Sequence, residues 1–402
     1  MADRSSPRSV VGALTGGLVR APELRDDDGR SASRLELFFD LAFVLVVAEL
    51  ASDLRTDVTW HGELLFAALF TTVWWAWVSA TLYANRFDHD DVVYRLLKLG
   101  SMAAVVGMAA SATEATGERF GIFVGCQLVL RATLLLQYLR AHRHMRGARP
   151  ITRLYMAGAG AGGLLWAVSL AVPHPVGFAL WAAAVLVEAL VPLLATRSAT
   201  DVPLHVEHLP ERFALFVILV LGESVAGIAH GLYEATWSGP ALPVALLAFV
   251  LAAALWWNYF DLAGARAKRL LNEVGGQQSD HSHDVYVFGQ LPLTLALATI
   301  GAAVQLAVTE SGAGEVPAGT RLLLGGGVAV YLLSVTLTDV GMSRGARRGW
   351  WWPVAAAAVA ALDAVVELPA VAVVGALAAV MVAVVVVGLV ERGTGRLAVD
   401  EV

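Results

Sequence analysis

Runs of about twenty residues with almost no charge recur from one end of this chain to the other. That is the length an α-helix needs to cross ~30 Å of hydrocarbon at 1.5 Å per residue. The runs fall near 35–52, 61–84, 92–112, 120–140, 151–171, 176–196, 212–231, 240–261, 285–308, 320–340, 350–366 and 369–390. A membrane β-barrel would instead show alternating segments of about ten residues, and stretches such as 371–390 do not alternate. Composition agrees, with 57% of 402 residues hydrophobic and 15% charged, against about a quarter charged in a soluble domain. A net charge of −6 and a single cysteine, Cys126, exclude a nucleic-acid-binding domain and a disulfide scaffold. The expected fold is an all-α polytopic membrane protein of twelve transmembrane helices.

Basic residues set the orientation. With the N-terminus in the cytoplasm, all but four of the 28 Lys and Arg fall on the cytoplasmic side. The exceptions are Arg55, Arg119 and Arg321 on the far side and Arg131 within the fourth span. Positive charge is retained inside, so both termini are expected in the cytoplasm of a bacterial inner-membrane protein. Trp74, Trp75, Trp77, Trp256, Trp257 and Trp350 to Trp352 fall near span ends and read as interfacial anchors. Residues 1–34 read as a disordered cytoplasmic arm without a signal-peptide cleavage site, and 393–402 as a cytoplasmic tail.

The two halves resemble each other. Glu36 aligns with Glu211, Phe38 with Phe213, Glu49 nearly with Glu223, and Trp74-Trp75 with Trp256-Trp257. Asp91-Val92-Val93-Tyr94 matches Asp284-Val285-Tyr286, and Pro173 matches Pro369. This predicts two parallel six-helix repeats, 35–197 and 198–392. Parallel repeats occur in transporters, with sites at the repeat interface.

An ionisable group in hydrocarbon costs ~2.5–3.5 kcal/mol on insertion scales and needs an inward-facing partner. The candidates for a pathway or buried polar network are Glu36, Asp40, Glu49, Arg131, Glu188, Glu211, Glu223, Ser224, His230, Asp261 and Asp363. Glu36 and Asp40 share a helix face, which Glu49 does not. Glu223 stands out, mid-span in Gly222-Glu223-Ser224, with Gly227 and His230 four and seven residues on. Two readings stay open: a Glu–His ladder passing a proton or cation, or a structural salt bridge from Glu223 to Arg131.

Carboxylates and imidazoles also cluster at Asp88, His89 and Asp91, and at His281, His283 and Asp284. They could hold a divalent ion. Their spacing matches no zinc pattern, however, and helix capping accounts for the acids. The stretch 221–227 lacks the second glycine of a nucleophile elbow. Gly158, Gly160, Gly162 and Gly163 lie in a hydrophobic span, where close helix packing explains them better than a dinucleotide loop. No cofactor is expected.

Glu36-Leu37-Phe38-Phe39-Asp40-Leu41-Ala42-Phe43, Glu211-Arg212-Phe213, Leu221-Gly222-Glu223-Ser224 and Trp257-Asn258-Tyr259-Phe260-Asp261 resemble the bacterial low temperature requirement A (LtrA) family from about residue 30 to 390. The resemblance implies a polytopic bacterial inner-membrane protein, linked by family name to growth in the cold, and supplies no substrate. Relatives are expected to carry His-Leu-Pro where this chain has Gln290-Leu291-Pro292, and an acid near Gln305. Both departures remove titratable groups and weaken a proton-coupled reading.

The leading expectation is a transporter or channel for a small solute or ion, with a path between the repeats lined by Asp40, Glu49 and Glu223. A structural or sensory membrane protein is the alternative. An intramembrane enzyme built on Ser224 and Glu223 is third, and enzymatic activity is not expected. The expected partners are the lipid bilayer, a small ion or solute and a second copy of the chain, with no nucleic acid.

Overall fold

The computed structural model describes residues 20–24, 33–88, 91–198, 208–273, 277–343 and 351–393. Its helices are α1 (Arg34–Thr56), α2 (Trp60–Arg86), α3 (Val92–Ala109), α4 (Phe120–His144), α5 (Arg149–Ser169), α6 (His174–Ser198), α7 (His208–Glu234), α8 (Ala241–Trp257), α9 (Gly264–Glu273), α10 (Gln277–Thr309), α11 (Ala318–Met342), α12 (Trp351–Asp363) and α13 (Ala370–Gly393). A π-helical turn, Asn258–Ala263, joins α8 directly to α9, so the helices coincide with the twelve apolar runs. Hydrocarbon offers backbone groups no hydrogen bonds, which is why each run closes its own as a helix.

Among the described residues, nine helices are long and apolar enough to cross a membrane. Of the rest, α1 carries Glu36, Asp40, Glu49, Asp53 and Arg55 within 23 residues, α5 opens with two arginines, and α12 has 13 residues. These features make a multi-pass membrane protein.

The chain divides into two compact units: Met1–Val46 with Thr72–Leu209, and Val47–Thr71 with Pro210–Val402. In the first, α3 packs on α4, α4 on α5 and α5 on α6. Tyr138 stands edge-on to Tyr83 at 4.8 Å and stacks on Tyr155 at 5.1 Å. The tryptophans at 74–77 are not interfacial anchors. Trp74, Trp75 and Trp77 are buried, and the Trp77 indole donates to the Asp40 carboxylate at 2.8 Å. An indole N–H taken into the interior needs an acceptor there. Trp256, Trp257 and Trp351 are exposed, as anchors would be, whereas Trp350 lies outside the described residues. The arm expected to be disordered includes a short ordered piece: Glu23–Leu24 pairs antiparallel with Phe87–Asp88, and Arg140 donates to the Arg20 carbonyl.

In the second unit α10 packs on α11, α11 on α12, and α13 on α8. Of the membrane-length stretch of α10, 78% is buried, and Pro292 lies inside the helix. Small residues let these helices touch through their backbones. A Cβ on Gly325 of α11 would stand 2.5 Å from the Ala360 carbonyl oxygen of α12, whereas one on Gly326 would meet nothing closer than 4.0 Å.

That contrast gives opposite signs for neighbouring substitutions. Gly325→Ala is expected to cost about 1–3 kcal/mol by overpacking. Gly326→Ala should be neutral or stabilising by up to about 1 kcal/mol, through helix propensity. Thermal midpoints of the two variants in detergent check this.

Candidate functional site

In the first unit most of the candidate polar residues have acquired specific partners. Glu36 and Ser33 form a reciprocal capping box at the start of α1. The Ser33 N–H donates to Glu36 Oε2 at 2.8 Å and the Glu36 N–H to Ser33 Oγ at 3.2 Å, satisfying N–H groups that a helix start leaves open. His208 Nε2 stands 3.9 Å from the same carboxylate. Arg131 of α4 forks onto Glu188 of α6, Nε to Oε1 at 2.8 Å and Nη2 to Oε2 at 3.1 Å. Its guanidinium also lies 5.0 Å from the Trp166 ring centre. Both side chains are buried, and the two-pronged geometry is the strong form of this pair.

Glycine makes the Arg131–Glu188 pair possible. A Cβ on Gly162 would fall 2.1 Å from Glu188 Oε1, and one on Gly158 would fall 2.2 Å from Val191. The glycine face of α5 is therefore the gap through which the Glu188 carboxylate reaches α4. Among the described residues a Cβ on Gly160 would meet no atom within 4 Å, and one on Gly163 would touch only Arg131, at 3.9 Å. Lys98 is also buried, its ammonium 4.1 Å from the Phe39 ring centre.

The salt bridge considered between Glu223 and Arg131 does not form, because Arg131 is committed to Glu188. In the second unit Glu223 instead meets Arg55, Nη1 to Oε1 at 3.3 Å. Ser224 is fully buried, and its backbone N lies 3.1 Å from where a Cβ on Gly301 would stand. Gly227 and Gly231 likewise press α7 onto Gly301, Gln305 and Val308 of α10. His230 is exposed and joins no such network among the described residues. Glu49 and Glu211 are half-buried, and Asp363 is buried at the end of α12.

One face of α10 is polar although buried. Gln290, Thr294 and Gln305 line it together with Gly301, at spacings of four, seven and four that keep one side of a helix. At its far end Gln305 Nε2 donates to Glu234 Oε1 at 3.0 Å, and Thr309 Oγ1 to Glu234 Oε2 at 2.9 Å. At its near end the Tyr259 hydroxyl donates to Gln290 Oε1 at 3.3 Å. The Thr294 hydroxyl returns to the Gln290 carbonyl at 2.7 Å, close to the ladder that Pro292 interrupts.

Beside Gln290 lies a cavity of about 450 Å³, within the size range of small-molecule sites. The π-turn with Asp261, the start of α9, and residues of α10, α11, α12 and α13 line it. The Tyr331 hydroxyl fixes the turn by donating to Asn258 Oδ1 at 3.0 Å. Gly264 closes it with its N–H on the Tyr259 carbonyl, where a Cβ would come within 2.9 Å of that oxygen. At the cavity edge Arg266 Nε pairs with Asp339 Oδ1 at 2.7 Å, and Arg392 reaches the Asp261 carbonyl at 3.4 Å. Sequence reasoning named Asp261 here but missed Arg266 and Asp339. The available signal was a lone acid in apolar α11 facing the basic 266–269 segment.

Among the described residues no three His, Cys, Asp or Glu side chains converge as metal ligands. His89 and the side chain of Asp88 lie outside the described residues. Asp91 caps α3, accepting from the Tyr94 N–H at 3.1 Å and from Arg140 Nη1 at 2.8 Å. His281 is exposed, His283 buried and Asp284 half-buried.

Two predictions follow from these pairs. Glu188→Ala strands the Arg131 charge and should cost about 3–5 kcal/mol, while Arg131→Met with Glu188→Leu should recover most of it. Thermal unfolding in detergent reads both. Burial raises the Asp91 carboxyl, but Arg140 and backbone N–H groups outweigh it and hold the group below the usual carboxylate range. A lowered folded-state value stabilises above the ordinary carboxylate pKa of about 3.9 and is lost as pH falls through the folded value. The deficit of Asp91→Asn against the parent should therefore be full near neutral pH and close in acid, measured as the difference in thermal midpoint.

The model of the family described as bacterial low temperature requirement A protein (LtrA) matches residues 31–386. An uncharacterized protein of Rhizobium meliloti is 28% identical over 276 residues, which cover 66% of this chain and 67% of that protein. No solved structure matches the chain. With the family model extending over most of its length, the chain belongs to the LtrA family.

Proposed function

We propose that this LtrA-family membrane protein is a transporter or channel for a small solute or ion, set in the bacterial inner membrane with both termini cytoplasmic. The buried polar face of α10 carries the reading. It begins at the cavity with Gln290, passes Thr294, and reaches Gly301 against Ser224 and Glu223, about 16 Å along the helix at 1.5 Å per residue. Leu297 and Ala298 fill the face between Thr294 and Gly301, and a helix serving only as a core strut has no use for the buried polar groups on either side of them at this cost. Its neutral groups suit hydrogen bonding to a solute better than relaying protons, in keeping with glutamine at 290 and 305. Charge asymmetry supports the orientation, and the matched polar positions of the two halves support a parallel duplication.

A structural or sensory role is the second reading, favoured by the closed Arg131–Glu188 pair. Flux into liposomes separates the two, with potassium, sodium, proton and organic-solute gradients imposed in turn. Uptake above empty liposomes is expected, falling roughly tenfold or more in Glu223→Gln for a loss of about 1.4 kcal/mol on the path, with the thermal midpoint little changed. No uptake under any gradient from folded protein would overturn the transport reading.

A further inference from the structure

We propose that the second unit's cavity binds an amphipathic organic anion: one carboxylate or phosphate head on a single apolar body. The proposal names the substrate class for the transport reading above and rests on it for that role, but the binding itself stands alone.

Charge balance points to the head group. Among the described residues Arg266, Lys268, Arg269 and Arg392 line the cavity with two acids, Asp261 and Asp339. Arg266 is held by Asp339, with 14% and 11% of those side chains exposed, so one cation is neutralised and fixed in place. Lys268 and Arg392 are exposed, which places positive charge where the cavity meets its surroundings. An anion entering there is drawn by these two side chains, and a cation of the same shape is repelled.

The walls point to the body. Leu293 and Leu332 are buried apolar side chains, and with Val335 and Val384 they line the same space as the basic residues. A head group alone would leave this surface wet, so an apolar tail gains by covering it. Trp352 is held at the wall by its indole N–H on Glu391 Oε1 at 3.1 Å, which offers a flat apolar face. At about 450 Å³ the space suits one chain or ring system rather than the paired chains of a diacyl lipid. The head could come from a free amphiphile or from a single-chain lipid, and the experiment separates these sources.

The test uses the full chain in nanodiscs of neutral lipid, with binding of radiolabelled decanoate measured at equilibrium. Decyl phosphate and the single-chain lipid lysophosphatidylglycerol are expected to compete, and decanol and decyltrimethylammonium to compete at least tenfold less well. Lys268→Gln, an exposed change that leaves the packing alone, should weaken binding about fivefold, and the affinity should fall with added salt. Val335→Trp should abolish binding by filling the space. Competition from lysophosphatidylglycerol far stronger than from decanoate upholds the proposal and assigns the head to a lipid. Equal competition by the neutral or cationic decyl compounds, or binding indifferent to both variants, overturns it. Anion binding without flux would sink the transport reading alone, whereas flux of cations or neutral solutes without anion binding would sink this proposal alone.

Discussion

Hydrocarbon cannot hydrogen-bond, and the architecture follows from where each polar group finds a partner instead. Backbone groups find theirs along the helix, so each apolar run becomes one. Polar side chains have no such local answer. They must be brought across to another helix, and the distance to cross depends on what lies between.

Glycine decides that distance. The face of α5 at Gly158 and Gly162 lets Glu188 reach Arg131, and Gly301 of α10 receives α7 beside Glu223 and Ser224. In both places a single methyl group would occupy the position that the polar contact or its backbone neighbour needs. Helix contact and charge pairing are thus one interaction seen from two sides. Close approach is made possible by the missing side chain, and the pair formed in the gap holds the helices at that spacing.

This also explains what could be read from the sequence and what could not. The helices announced themselves because run length is a property of one segment. The buried positions of Asp40, Arg131, Glu188 and Ser224 were legible because a polar group in an apolar run has few alternatives to facing inward. Which groups meet was not legible. Arg131 lies mid-span and looked like the base for Glu223, but Glu188 had the glycine gap facing it, and Arg55, read only as a far-side charge, took Glu223. Trp74 and Trp77 misled for a related reason. Position near a span end suggests an interfacial ring, yet Asp40 supplied an interior acceptor for Trp77. The cavity was hidden because it depends on a departure from α-helical geometry at Asn258–Ala263, which hydropathy does not record.

That π-turn has a mechanical consequence. A π-turn holds one more residue than the α-turn it replaces, so it is a reserve of slack within an otherwise continuous helix. If one residue passed out of it into α8 or α9, the downstream segment would turn by about 100° and advance 1.5 Å. Arg266 would then swing away from Asp339 of α11, and the contacts of α9 with α10 and α11 would be remade. The basic edge of the cavity is thus mounted just beyond the turn that can change its register, and its packing through Leu271 and Leu262 is what holds that register in place.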